Sequence, residues 1–200
     1  MAPRSKHLLV GFVFSILSIL VLLYIRYNIT LGFAFLIVSL SLLGAELPDY
    51  DHFLPGLDHR DILTHSFFIP LALVGLAWIF RSSTEELFIL GMFSVNYGIH
   101  LFIDLWPPLS EKKLKSGGLE AFREVTSAFL QGLTGVELKG KMAGTYLIHL
   151  PYSVVYQQKR QRKTFDKTHT RQWLVGSAFI SIFIGVIFII YPVIESIFLH

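Results

Sequence analysis

At 200 residues, with 53% hydrophobic and 16% charged side chains, the chain is too apolar for an ordinary soluble domain of its length. It has no cysteine, which excludes disulfides and thiolate metal ligands. The net charge of +3 comes with no groove-reading motif, so nucleic acid is not an expected partner; basic residues beside apolar runs set topology and meet anionic lipid instead.

The apolar excess is gathered into blocks, as in an integral membrane protein. Residues 1–7 form a short basic lead, and residues 8–25 an unbroken apolar run with no small-residue cleavage site behind it. A hydrocarbon core of about 30 Å needs roughly 20 helical residues, so this run reads as an uncleaved first span. Arg26, Tyr27 and Asn28 make a tight turn into a second span over 29–45. Residues 66–80 are short for a third span and suffice only if 62–65 add a first turn. In the following loop, Ser83 or Thr84 is placed to cap a fourth span over 87–106, with Glu85 and Glu86 in its first turn. Pro107 and Pro108 stop it.

From 109 to 172 the chain is polar and basic. Leu119, Phe122, Phe129, Leu130 and Leu133 recur at helical spacing, an apolar stripe that suits a helix lying on the membrane interface. Residues 142–156, broken by Pro151, read as interfacial or re-entrant. A last span is expected over 173–191, with Pro192 to His200 trailing from it. The expected fold is thus all-α, a polytopic membrane helix bundle of about five spans. Its parts are a four-span bundle (1–108), a basic interfacial or cytoplasmic segment (109–172) and a C-terminal span (173–200).

With the N-terminus on one face, fifteen of the seventeen Lys and Arg residues fall on that face, and only Arg26 and Arg81 on the other. The first face is therefore expected to be cytoplasmic, in a cell (inner or plasma) membrane.

Polar residues concentrate where such spans should tolerate them least. Between Glu46 and His65 stand Asp49, Asp51, His52, Asp58, His59, Asp61 and His65. Carboxylates and imidazoles cost several kcal/mol each to desolvate unless compensated, and a divalent cation compensates O and N ligands at short range. His100 and Asp104 share one face of the fourth span at i, i+4 spacing and head back to the same membrane face. Taken singly, Asp49 is as well read as a turn residue, His59 and Arg60 as a solvated loop tip, and His100 as a hydrogen-bonded buried histidine. His7 beside a flexible start reads as bland, and His149, His169 and His200 as structural or exposed. Jointly, Asp49, Asp51, His52, His65, His100 and Asp104 converge on one level. They are the expected ligands of one or two Zn²⁺-like ions on the cytoplasmic face.

Three segments carry a family resemblance. Leu47-Pro-Asp-Tyr-Asp-His52, His59-Arg-Asp-Ile-Leu-Thr-His-Ser66 and Tyr97-Gly-Ile-His-Leu-Phe-Ile-Asp104 resemble the membrane-bound metal-dependent hydrolases, also described as LexA-binding, inner-membrane-associated hydrolases. The family's pattern runs PDxDH, HRxxTHS and a sHxxxD helix. The resemblance covers about residues 1–108, and His7 resembles the family's early histidine. His59 and His65 stand one residue further apart than in the usual pattern. The resemblance implies a hydrolase, with membrane lipids around it and a small-molecule or lipid substrate.

In that reading a metal-activated water attacks an amphiphilic substrate, such as a phospholipid or phosphoester. Arg60 holds a phosphate or carboxylate and His59 exchanges protons. The alternative is a non-catalytic membrane protein in which the metal staples span ends and the basic segment docks a protein partner or anionic lipid. The His-x₃-Asp pair also has a superficial likeness to lipid phosphate phosphatases. The chain lacks their preceding arginine and Pro-Ser-Gly-His segment, so that mechanism is set aside.

Overall fold

The computed structural model describes the backbone of residues 4–53, 61–104 and 167–198, and the side chains of 7–50, 61–104 and 172–195. These residues form five α-helices and no β-strand: α1 (Arg4–Tyr24), α2 (Leu31–Glu46), α3 (Phe68–Phe80), α4 (Thr84–Ile103) and α5 (Lys167–Phe198). A short 3₁₀ helix, Leu47–Phe53, continues from α2. The expected stripe over 119–133, the segment 142–156 and the proline stop after the fourth span lie outside the described residues.

Local chemistry sets most of the helix ends. α1 closes in a Schellman motif. Arg26 takes a left-handed conformation (φ 59°), its N–H donates to Leu23 O at 3.0 Å, and the Tyr27 N–H donates to Leu22 O at 2.9 Å. α3 ends the same way at Arg81 (φ 49°), with the Ser82 N–H on Ala77 O at 3.0 Å. Thr30 caps α2, its Oγ1 accepting the Phe33 N–H at 3.1 Å. Of the two expected caps for α4, Ser83 serves. Its hydroxyl accepts the Glu86 N–H, and the Glu86 carboxylate accepts the Ser83 N–H at 2.7 Å, a complete capping box.

Four helices are long and apolar enough to cross a membrane. α3 is not: its 13 residues span about 20 Å, short of a core of about 30 Å. The extra first turn it needed over 62–65 is a separate turn outside the helix. The last span also departs from expectation. α5 starts at Lys167 and runs through Pro192 to Phe198, where a stop was expected. A proline forfeits one helical hydrogen bond, a loss that surrounding helices can make good in a membrane span.

The bundle is apolar outside, and its interior mixes large apolar side chains such as Ile37, Met92, Tyr97 and Leu101 with small polar ones. Leu9, Leu17, Leu20, Phe35, Phe179 and Phe183 are exposed, whereas Ser15, Ser41, Ser94, Asn96, Ser177 and Ser181 are buried. Lipid tails solvate Leu and Phe as well as a core would, so burial there brings close packing rather than escape from water. α4 is the central helix, buried continuously over 91–98, with α5 on one side and α2 on the other. Glycines allow the closest approach. A Cβ on Gly91 would lie 2.8 Å from Gly185 O, and one on Gly185 would lie 2.6 Å from Gly91 O.

Candidate metal centre

One end of the bundle gathers the C-terminus of α2, the start of α1, the turn before α3 and the C-terminus of α4. Asp49 stands in the first turn of the 3₁₀ helix. His100 lies in the last turn of α4, and Asp104 is that helix's C-cap.

His65 is presented by a turn that its neighbours build. Asp61 Oδ1 accepts the Leu63 N–H at 2.9 Å, and the Asp61 carbonyl accepts the N–H groups of Thr64 (3.1 Å) and His65 (2.8 Å). An Asp closing a turn on the backbone two residues ahead is an Asx turn. Ser66 Oγ then accepts the Phe68 N–H at 3.2 Å where α3 begins. Two other helices clamp this turn. The Tyr97 hydroxyl of α4 donates to the Thr64 carbonyl, and the Trp173 indole of α5 donates to the His65 carbonyl at 3.2 Å.

The side chains then meet. His65 Nε2 lies 3.5 Å from Asp104 Oδ2, and His100 Nε2 lies 3.6 Å from the same oxygen and 3.7 Å from Asp49 Oδ1. One donor atom from each of Asp49, His65, His100 and Asp104 falls within 4.8 Å of all the others. Both imidazole side chains are fully buried and Asp104 is 3% exposed, while Asp49, at 31%, opens the cluster on one side.

The other ring nitrogen decides what these contacts are. His100 Nδ1 sits 2.7 Å from Ala45 O, and a carbonyl only accepts, so Nδ1 carries the proton. The Thr64 hydroxyl donates to Asp61 O at 3.1 Å, which leaves Thr64 Oγ1 to accept from His65 Nδ1 at 3.2 Å. With Nδ1 committed to a neighbouring oxygen, each imidazole turns its Nε2 toward a carboxylate, as a lone pair beside a bound cation or, without one, as the second N–H of an imidazolium. Such a buried set needs a positive charge between its members. Tetrahedral coordination at 2.0–2.1 Å places neighbouring donors about 3.3 Å apart, close to the spacings here. Nitrogen and oxygen donors without sulfur suit a borderline divalent ion, and each histidine's Nδ1 bond is the outer contact that fixes a metal-binding ring. The group can hold a metal ion.

Four of the six expected ligands are thus brought together. Asp51 and His52 follow Asp49 on the 3₁₀ helix, but their side chains lie outside the described residues, as do His59 and Arg60 entirely. His149, His200 and the His169 side chain also lie outside them. His7 is a correction. It is not a bland residue of a loose start but is 2% exposed, stacked on His100 with ring centroids 4.0 Å apart. Sequence reasoning missed the clamps Tyr97 and Trp173. Tyr97 lies three residues before His100 and shares the motif, whereas nothing local marks Trp173. No family model, curated protein or solved structure matches the chain.

Proposed function

We propose that the protein is a membrane-embedded, metal-dependent hydrolase acting on an amphiphilic substrate, a phospholipid or phosphoester, at headgroup level. The observation that carries this reading is the pair of buried imidazoles whose Nε2 atoms converge on the carboxylates of Asp104 and Asp49 at one end of the bundle. The resemblance of the three motifs to the membrane-bound metal-dependent hydrolases supports it.

In this reading Asp49, His65, His100 and Asp104 hold a Zn²⁺-like ion, with Asp51 and His52 as further candidates on the same 3₁₀ helix. Bound there, the ion supplies Lewis acidity and lowers the pKa of a coordinated water. The chain does the rest. Ala45 and Thr64 engage Nδ1 of the two imidazoles, which turns each Nε2 toward the carboxylates, and burial of both rings keeps bulk water from them. The exposed edge at Asp49 is the side from which a headgroup enters, with Arg60 and His59 assigned to binding its anionic group and exchanging protons. The fifteen basic residues allotted to this face make it the cytoplasmic one, with the N-terminus inside.

The test is metal analysis of purified protein combined with turnover of a phospholipid and phosphoester panel, with and without chelator. Chelator-sensitive hydrolysis by metal-loaded protein supports the reading. Metal-loaded protein inert across the panel, and losing thermal stability on chelation, would instead mark the ion as a staple between helix ends.

A further inference from the structure

A second site lies at the opposite end of the bundle. A groove of about 620 Å³ opens where the short α3 meets α4 and α5, lined by Val74, Ala77 and Trp78 of α3, Leu87 of α4 and Phe188 of α5. Its polar rim is Arg81 and Ser82. The volume is within the range of about 300–1,000 Å³ typical of small-ligand sites. We propose that this groove binds one anionic phospholipid, an acyl chain lying along its apolar wall and the phosphate held by Arg81 with Ser82 beside it.

Composition and charge select that occupant. The wall is apolar, as an acyl chain requires. Charge then selects the headgroup. Arg81 and Arg26 are the two cationic side chains among the described residues, and no ion pair involves Arg81 among them. In the adjoining loop the Glu86 carboxylate accepts the Ser83 N–H in the capping box. Arg81 ends α3 in a left-handed turn and lines the groove, and a planar guanidinium matches a phosphodiester in a bidentate pair. Trp78, 84% exposed on the same wall, is a ring of the kind that settles at headgroup level.

Trp78 also reports occupancy. In protein carrying Trp106→Phe and Trp173→Phe, reconstituted into vesicles, its fluorescence should be quenched by brominated phosphatidylglycerol several-fold more tightly than by brominated phosphatidylcholine. Arg81→Gln should abolish that preference, and Arg26→Gln, at the same membrane face, should keep it. Equal quenching by the two lipids would reduce the groove to ordinary boundary lipid and overturn the proposal, as would a preference that survives Arg81→Gln. A parallel measurement needs no tryptophan removal: phosphatidylglycerol retained by wild type and by Arg81→Gln, counted by native mass spectrometry. Wild type should hold one more lipid than the variant, and equal counts would overturn the assignment. Bound metal should be the same in both, since Arg81 lies at the far end from the metal centre.

Discussion

Ala45 and His100 are joined by a 2.7 Å hydrogen bond from the imidazole Nδ1 to the carbonyl oxygen, across 55 residues of sequence. The bond ties the last turn of α2 to the last turn of α4 and sets which nitrogen of His100 is left to coordinate. The metal centre and the helix packing therefore share one contact. His65→Ala and His100→Ala are each expected to leave detergent-purified protein with background metal. His169→Ala and His200→Ala should bind as wild type does. Elemental analysis of the four variants checks this, and equal metal in all of them would remove the site.

Asp104→Asn keeps the shape of the side chain and removes one charged ligand. Under the hydrolase reading, turnover by metal-loaded protein should fall by orders of magnitude while the melting temperature stays close to that of wild type. Under the staple reading the variant should instead melt at lower temperature, because the ion ties the helix ends together. Melting curves and a phospholipid and phosphoester panel on the two proteins separate these outcomes.

Thr64 acts through His65 by a single hydroxyl. Thr64→Val keeps the shape but takes the acceptor from Nδ1, and outer contacts of this kind are worth roughly 10–100-fold in metal affinity. Thr64→Ser restores the hydroxyl and should recover most of the loss. A metal titration of the three proteins tests it, and unchanged affinity in Thr64→Val would refute the tautomer assignment.

The α4–α5 contact depends on glycine at two facing positions. In Gly91→Leu the first added carbon already lies 2.8 Å from Gly185 O and from Ile189 Cγ1, so the helices must separate, at a cost of about 1–3 kcal/mol or more. Gly75→Ala, in α3, meets nothing within 4 Å and should be neutral or slightly stabilising. Thermal melts in one detergent compare the two.

Tyr27, in the turn between α1 and α2, has its phenol pKa raised above the ordinary 10.0, first by burial and then by the charges of Glu85 and Glu195. Because the folded value is the higher one, its contribution to stability is complete below the unfolded pKa and is lost as pH rises through the folded one. Phenolate absorbance subtracted between wild type and Tyr27→Phe should rise at higher pH than for free tyrosine. Glu195→Gln should bring it back down.

What the sequence carried and what it withheld divide along physical lines. Long apolar runs mark α1, α2, α4 and α5, because lipid demands them whatever the tertiary contacts. His100 and Asp104 were legible as a pair because i, i+4 spacing is a property of one helix. The start of α3 was not, since Asp61 spends its carboxylate on the Leu63 N–H and holds the next residues in a turn that an apolar count cannot see. The far end of α5 was not legible either: apolar patterning places the end of the last span at 191, but the helix runs on through Pro192, whose missing hydrogen bond a membrane bundle can make good. His7 was underrated because its burial depends on α1 lying against α4, a fact of packing absent from any local window.

The bond from Trp173 to the His65 carbonyl has a consequence for how the protein is made. All four candidate ligands, Asp49, His65, His100 and Asp104, precede α5 in the chain, but the turn that aims His65 gains one of its clamps only with Trp173. The geometry of the cluster is therefore completed by α5, dozens of residues of translation after its own side chains have been made.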